Sequence, residues 1–179
     1  MTDPLPPKLL ADGMLGRLAK WLRILGYDTA YDPQLDDNDL VRQARAEGRI
    51  LLTRDHELAK RPGMQTLLIE SEHLTAQLAQ VQAQLSDTAV EPFSRCPVCN
   101  TPLQEVSPEE VRKSVPPFVL RSHSHFRRCP SCNKIYWPGS HWRRMREQLA
   151  RFERQGRSQG VVRSERRLVE KGEENPGAD

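Results

Sequence analysis

The chain reads as an α/β protein: a parallel sheet flanked by helices, then a small cysteine-bound module and a basic C-terminal helix. Three observations predict this. Short apolar runs at 8–11, 27–31, 49–53 and 66–69 alternate with stretches of helical periodicity, and such a β-α-β-α-β succession packs as a parallel sheet covered on both faces. The four cysteines stand in two pairs, Cys96-Pro97-Val98-Cys99 and Cys129-Pro130-Ser131-Cys132. Charge is divided unevenly, with a net of −4 over residues 1–94, +7 over 95–155 and zero over 156–179.

The elements follow in order. The run 8–11 stops at Asp12-Gly13, and from Met14 the period becomes helical, with Leu15, Leu18, Leu22 and Leu25 on one stripe and Gly26 as the stop. Residues 27–31 give a second short strand. Asp36 or Asp37 caps a helix over 39–47 whose Leu40, Val41 and Ala44 face inward, with Gly48 ending it. Residues 49–53 form the clearest strand, followed by a helical turn at Asp55-His56-Glu57 and a fourth strand at 66–69. Leu74, Leu78, Val81 and Leu85 recur at helical spacing and predict an amphipathic helix that closes the sheet. Residues 87–94, with Pro92, read as a linker.

Each C-x-x-C sets two thiolates on one turn with the bite of a tetrahedral zinc site, and the intervening segment is long enough to bring the second pair opposite the first. Two disulfides or a redox-active pair are the alternatives, but the surroundings are hydrophilic and lack a strand–helix pattern around either pair. Cys96, Cys99, Cys129 and Cys132 are therefore expected to bind structural zinc, with His123 and His125 as lesser candidates beside a complete Cys₄ shell. Val115-Pro116-Pro117-Phe118 is expected to break regular structure. Ile135-Tyr136-Trp137 suits a closing strand, Pro138-Gly139 a turn, and Ser140 the cap of an arginine-rich helix whose Met145, Leu149 and Phe152 pack against protein. The domain reading is thus 1–94, 95–155 and a disordered tail over 156–179.

In open parallel sheets functional groups gather beyond the carboxyl ends of the strands. Here those positions are acidic: Asp12 after the first strand, Asp36-Asp37-Asn38-Asp39 after the second, Asp55 and Glu57 after the third. Carboxylates converging from separate loops repel unless a cation lies between them, and hard oxygen ligands select Mg²⁺ or Mn²⁺. Helix capping is the competing role for the same residues.

The segment from Leu10 to Asp28, Ile50-Leu-Leu-Thr-Arg-Asp, Arg95-Cys-Pro-Val-Cys-Asn and Tyr136-Trp-Pro-Gly-Ser-His-Trp together resemble the family named for the C-terminal RNase domain of the mutator-seven protein. The resemblance implies a shortened PIN-like nuclease sheet with a C-terminal zinc ribbon, and RNA as substrate. On that pattern Asp12, Asp37 and Asp55 match the catalytic, metal-binding carboxylates, with Glu57 as a fourth. The implied chemistry is divalent-metal-assisted hydrolysis of a phosphodiester, leaving 5′-phosphate and 3′-hydroxyl ends. Only 17 residues separate Asp37 from Asp55, which is the sense in which the sheet is shortened.

Basic residues supply a surface for a polyanion. Arg17, Lys20 and Arg23 recur every three residues on the first helix, Arg127 and Arg128 precede the second cysteine pair, and Arg143 and Arg144 open the last helix. Trp21 falls beside the first set as a stacking or core residue. No apolar run approaches the roughly 20 residues needed to span a bilayer, and residues 1–7 lack a signal-peptide core, so a cytoplasmic enzyme is expected. Two classes of function remain: a metal-dependent ribonuclease assisted by its ribbon, and a non-catalytic RNA-binding or adaptor protein using the ribbon and basic helix. The geometry of the acidic residues separates them.

Overall fold

The computed structural model describes residues 6–85 and 90–158; the tail beyond 158 and part of the expected linker lie outside the described residues. Strands β1 (Leu9–Ala11), β2 (Thr29–Tyr31), β3 (Ile50–Thr53) and β4 (Thr66–Leu68) form a parallel sheet in the order β2-β1-β3-β4. The α/β architecture read from the sequence is the one observed.

Period-2 alternation within the strands sorts the two faces. Leu9, Ala11 and Leu52 point to one side, where they meet α1 (Gly16–Leu25) and α4 (Leu74–Gln84) through Leu18, Leu22, Leu78 and Val81. Leu10 and Leu51 point to the other, against Leu40, Val41 and Ala44 of α2 (Asp37–Glu47) and Leu58 of α3 (His56–Ala59). Each leucine fully removed from water contributes about 1.5–3 kcal/mol, so both faces stabilise the sheet. Gly26 ends α1 at φ 103°, and a Cβ there would lie 2.3 Å from the Glu91 carbonyl oxygen. Glycine is thus required both by the left-handed cap and by the returning chain.

A second, antiparallel sheet joins β5 (Gln104–Val106), β6 (Phe126–Arg128) and β7 (Ile135–Tyr136). Between β5 and β6 run two short helices, α5 (Pro108–Val111) and α6 (Pro117–Ser122); Val111 and Val119 from them and Val115 from their connection cover Phe126. The expected break over Val115-Pro116-Pro117-Phe118 is found at Val115 and Pro116, which separate the two helices, and needs correction only at Pro117 and Phe118, which open α6. Pro117 occupies the first helical turn, where the missing N–H would lack a partner in any case.

The last helix, α7 (Ser140–Ser158), packs back onto the helix layer that covers the first sheet, chiefly against α4. Its Met145, Leu149 and Phe152 join the core cluster of α1 and α4, and Trp21 meets Phe152 edge to face with ring centroids 5.4 Å apart. Trp21 is therefore a packing residue. Because helix α1 starts at the carboxyl edge of the sheet and runs about 15 Å, its C-terminal end lies at the opposite edge. The cysteine module docks at that opposite edge: Phe93 N donates to Ile24 O at 2.7 Å, and Thr29 N to Asn100 Oδ1 at 3.0 Å.

Candidate functional site

At the carboxyl edge, β1 and β3 deliver Asp12 and Asp55 side by side, and Thr53 joins them. The Thr53 hydroxyl donates to Asp12 Oδ2 at 2.6 Å and accepts from Asp55 N at 3.0 Å, while Asp12 N reaches Leu52 O at 3.0 Å. Thr53 is fully buried, so this clamp is fixed by the sheet. Sequence reasoning assigned no role to Thr53; the signal was present as a hydroxyl residue two positions before an acid, the spacing of a side-chain turn.

Both aspartates also cap. Asp12 Oδ1 accepts from Met14 N at 3.3 Å, and Asp55 Oδ1 accepts from Glu57 N at 2.7 Å and Leu58 N at 3.1 Å. The two backbone donors, Leu58 foremost, hold the Asp55 carboxyl below its ordinary range. Of the neighbouring pair, Asp36 is the N-cap of α2, accepting from Asp39 N at 2.8 Å. Asp37 opens the helix instead, exposed, with Arg61 at 3.8 Å. Glu57 is exposed and pairs with Lys60 at 2.6 Å, and His56 is exposed. The edge thus links Asp12 and Asp55 through Thr53 and carries Asp37 at the start of α2. Among the described residues, the group of His, Cys, Asp or Glu side chains gathered closely enough to hold a metal ion is the cysteine set, not the aspartates.

The cysteine site is built from two near-identical turns. Asn100 N donates to Cys96 O and Asn133 N to Cys129 O, both at 2.9 Å; Cys96 N donates to Thr101 O and Cys129 N to Lys134 O, again both at 2.9 Å. Asn100 and Asn133 close the turns at φ 67° and 58°, a left-handed conformation that asparagine tolerates better than most residues. The four Sγ atoms lie within 4.8 Å of one another, with Cys96–Cys132 at 3.7 Å and Cys99–Cys129 at 3.2 Å. Tetrahedral bonds of about 2.3 Å separate sulfurs by about 3.8 Å, so four cysteines in this arrangement can bind a metal such as zinc. None of the four is in a disulfide. Burial raises the Cys129 thiol to about 11; at Cys99 burial acts in the same direction but Thr101 and the neighbouring thiols outweigh it, bringing that group to about 6. Tyr136 Oη lies 3.1 Å from Cys96 Sγ, a contact that orients the ligand sulfur.

The basic residues separate into exposed and engaged sets. Arg17 and Lys20 are exposed on α1, and Arg143 and Arg144 on α7. Arg23 departs from the reading of an RNA-facing side chain: it is 6% exposed and donates to Thr29 O at 2.8 Å, Pro97 O at 3.3 Å and Val98 O at 2.8 Å. The physical reason is that the first cysteine turn docks on the end of α1 and supplies carbonyls that a guanidinium fork satisfies together. Arg127 is held by Phe93 O and Glu91, each at 3.0 Å, and Arg128 by Glu110 O at 2.9 Å. His123 and His125 are not part of the metal-binding group.

A parallel α/β sheet with an acidic carboxyl edge, braced by a Cys₄ module at its other edge, is the class of protein that these features define. The chain belongs to the Mut7-C RNAse domain family, whose model matches residues 7–149 and so spans the sheet, the cysteine module and half of α7. No curated protein and no solved structure matches the chain. Family membership supports a nuclease-type function with RNA as substrate or partner. Among the described residues no helix is long and apolar enough to cross a membrane.

Proposed function

We propose that the protein is a divalent-metal-dependent ribonuclease acting at the carboxyl edge of its parallel sheet. The observation that supports this reading best is the Thr53 hydroxyl, which bonds the Asp12 carboxylate and the Asp55 backbone N–H and so ties two acidic residues on adjacent strands at the edge where such folds act, in a chain belonging to an RNAse family.

The donor atoms are of the hard type that such a cation selects, although the three carboxylates as placed are not gathered closely enough to share one ion. Asp12, Asp37 and Asp55 offer carboxylate oxygens, Asp37 is not used as the helix cap, and the capping bonds of Asp55 fall on Oδ1, sparing Oδ2. When bound there, Mg²⁺ or Mn²⁺ would polarise a phosphoryl oxygen and lower the pKa of a water. Thr53 fixes the rotamer of Asp12, so that carboxylate does not have to be ordered on binding. Glu57, two residues past Asp55, is the fourth carboxylate. Exposed Arg17 and Lys20, one and two turns along α1 from Asp12, would hold the flanking phosphates. Zinc in the Cys₄ site is structural in this reading, and four thiols kept reduced suit a cytoplasmic setting.

Replacing Asp12 or Asp55 by Asn keeps shape and removes charge. Cleavage of single-stranded RNA with 5′-phosphate and 3′-hydroxyl products is expected to need Mg²⁺ or Mn²⁺ and to fall by orders of magnitude in either variant, while RNA binding persists. One observation favours a non-catalytic RNA-binding protein instead: Asp12 and Asp55 both serve as caps. Equal cleavage by wild type and both Asn variants, with contaminating nuclease excluded, would give these residues to capping and decide for that alternative.

A further inference from the structure

Between the cysteine-bound sheet and the start of α7 lies a cleft of about 670 Å³ that the acidic edge does not use. Phe126 of β6 and Trp137, just past β7, line it from the ribbon side, and Phe93 and Trp142 from the other, their two rings 4.6 Å apart at 40°. The volume is in the range of small-ligand sites. Tyr136 adds a fifth aromatic ring to its walls beside aliphatic Ile24, Leu103, Val106 and Met145, and such rings offer flat faces to an unsaturated guest.

The surrounding charge narrows the guest further. Glu91 and Glu105 are the carboxylates that line the cleft; Arg127 pairs with both, at 3.0 and 3.6 Å, and Arg95 is the second guanidinium in the lining. Exposed Arg143 and Arg144 follow Trp142 on α7, and the Arg146 guanidinium lies 4.8 Å above the Trp142 ring. An aromatic slot beside a ridge of arginines matches a base with its phosphates, since stacking is indifferent to sequence while guanidinium groups take the backbone. A neutral apolar peptide would leave that positive ridge without a counterpart.

We infer that this cleft binds an unstacked base of a single-stranded nucleic acid, with the adjoining phosphates on the first turns of α7. The inference rests on the reading of the protein as RNA-acting, and it names where the strand is held away from the acidic edge. Helix α7 starts near the C-terminal end of α1 at Trp142 and meets Trp21 at Phe152 while packing along α4.

The test uses the zinc-loaded full chain and oligouridine of about ten nucleotides, with no Mg²⁺ or Mn²⁺ added. Tryptophan fluorescence should be quenched on binding, and Trp142→Ala should weaken affinity about tenfold without changing the slope of affinity against salt. Arg143→Ala with Arg144→Ala should instead flatten that slope, because fewer counterions are released. Cross-linking of a 4-thiouridine oligomer to the wild-type chain should map to the peptides around Phe93, Trp137 and Trp142, a readout independent of whether the alanine variant folds. RNA and DNA oligomers of equal sequence tell which sugar the site prefers. Cross-links confined to the acidic edge, unchanged affinity in a folded Trp142→Ala protein, or tryptophan shielding that rises with protein concentration alone would overturn the inference. The last result would give the cleft to a second copy of the chain. Because no catalytic metal is present, failure of the cleavage experiment leaves this measurement unaffected.

Discussion

The two cysteine turns are almost the same piece of backbone put to different uses. Cys96–Asn100 and Cys129–Asn133 share a C-P-x-C-N sequence, the same pair of 2.9 Å backbone bonds and the same left-handed asparagine. They differ in what the asparagine side chain meets. Asn100 accepts from Thr29 N at 3.0 Å and donates to Asp28 Oδ1 at 2.7 Å, tying the metal module to the start of β2, whereas Asn133 is exposed. A local turn dictated by metal geometry has been recruited on one side as a latch between two sheets. Nothing in the five-residue motif distinguishes the two.

The comparison breaks most completely if the metal is lost. Cys96→Ser is expected to abolish stoichiometric zinc and unfold the β5–β7 sheet, since metal contributes on the order of 10 kcal/mol to such sites. Elemental analysis together with hydrogen exchange over 95–137 would show it, and a folded, zinc-free ribbon would refute it. Asn-to-Gly exchanges sharpen the difference between the turns, because glycine accepts the positive φ at both. Asn100→Gly should cost about 1–3 kcal/mol through the orphaned Thr29 N–H and the weakened Asp28 network, and Asn133→Gly less than about 0.5 kcal/mol. Equal denaturation midpoints for the two would remove the latch.

The smallest expected effect concerns acid. Burial pushes the Asp28 carboxyl upward, but hydrogen bonds from Arg49 at 2.8 Å and Asn100, with Arg95 near, outweigh it and leave the group below its usual 3.8. A depressed carboxylate contributes stability that is complete above its unfolded value and is lost as pH falls through the folded one. Stability should therefore decline below about pH 4, and Asp28→Asn should lose about 1 kcal/mol at neutral pH while flattening that part of the profile. A variant as acid-sensitive as wild type would locate the loss elsewhere.

Much of this architecture was legible because local chemistry and tertiary role agree. The leucine stripe ending at Gly26, the runs at 9–11 and 50–53 and the paired C-x-x-C-N turns each specify their own structure. What escaped reading depends on partners distant in sequence. Arg23 sits on the polar side of a helical pattern, yet it is buried by carbonyls more than 70 residues later. Pro117 looks like a breaker until Phe126 gives Val119 something to cover. At the acidic edge the carboxylates were visible, but the hydroxyl that links the Asp12 carboxylate to the Asp55 backbone was not, because Thr53 resembles any β-branched strand residue.

The position of α7 bears on how the chain is made. Leu149 and Phe152, which complete the face formed by α1 and α4, leave the ribosome only after the whole cysteine module has been synthesised. Until then, the leucines of those earlier helices lack part of their cover, and the nascent α/β layer must wait with apolar surface exposed. Metal capture midway through synthesis would shorten that interval by holding the chain's two halves in reach of one another.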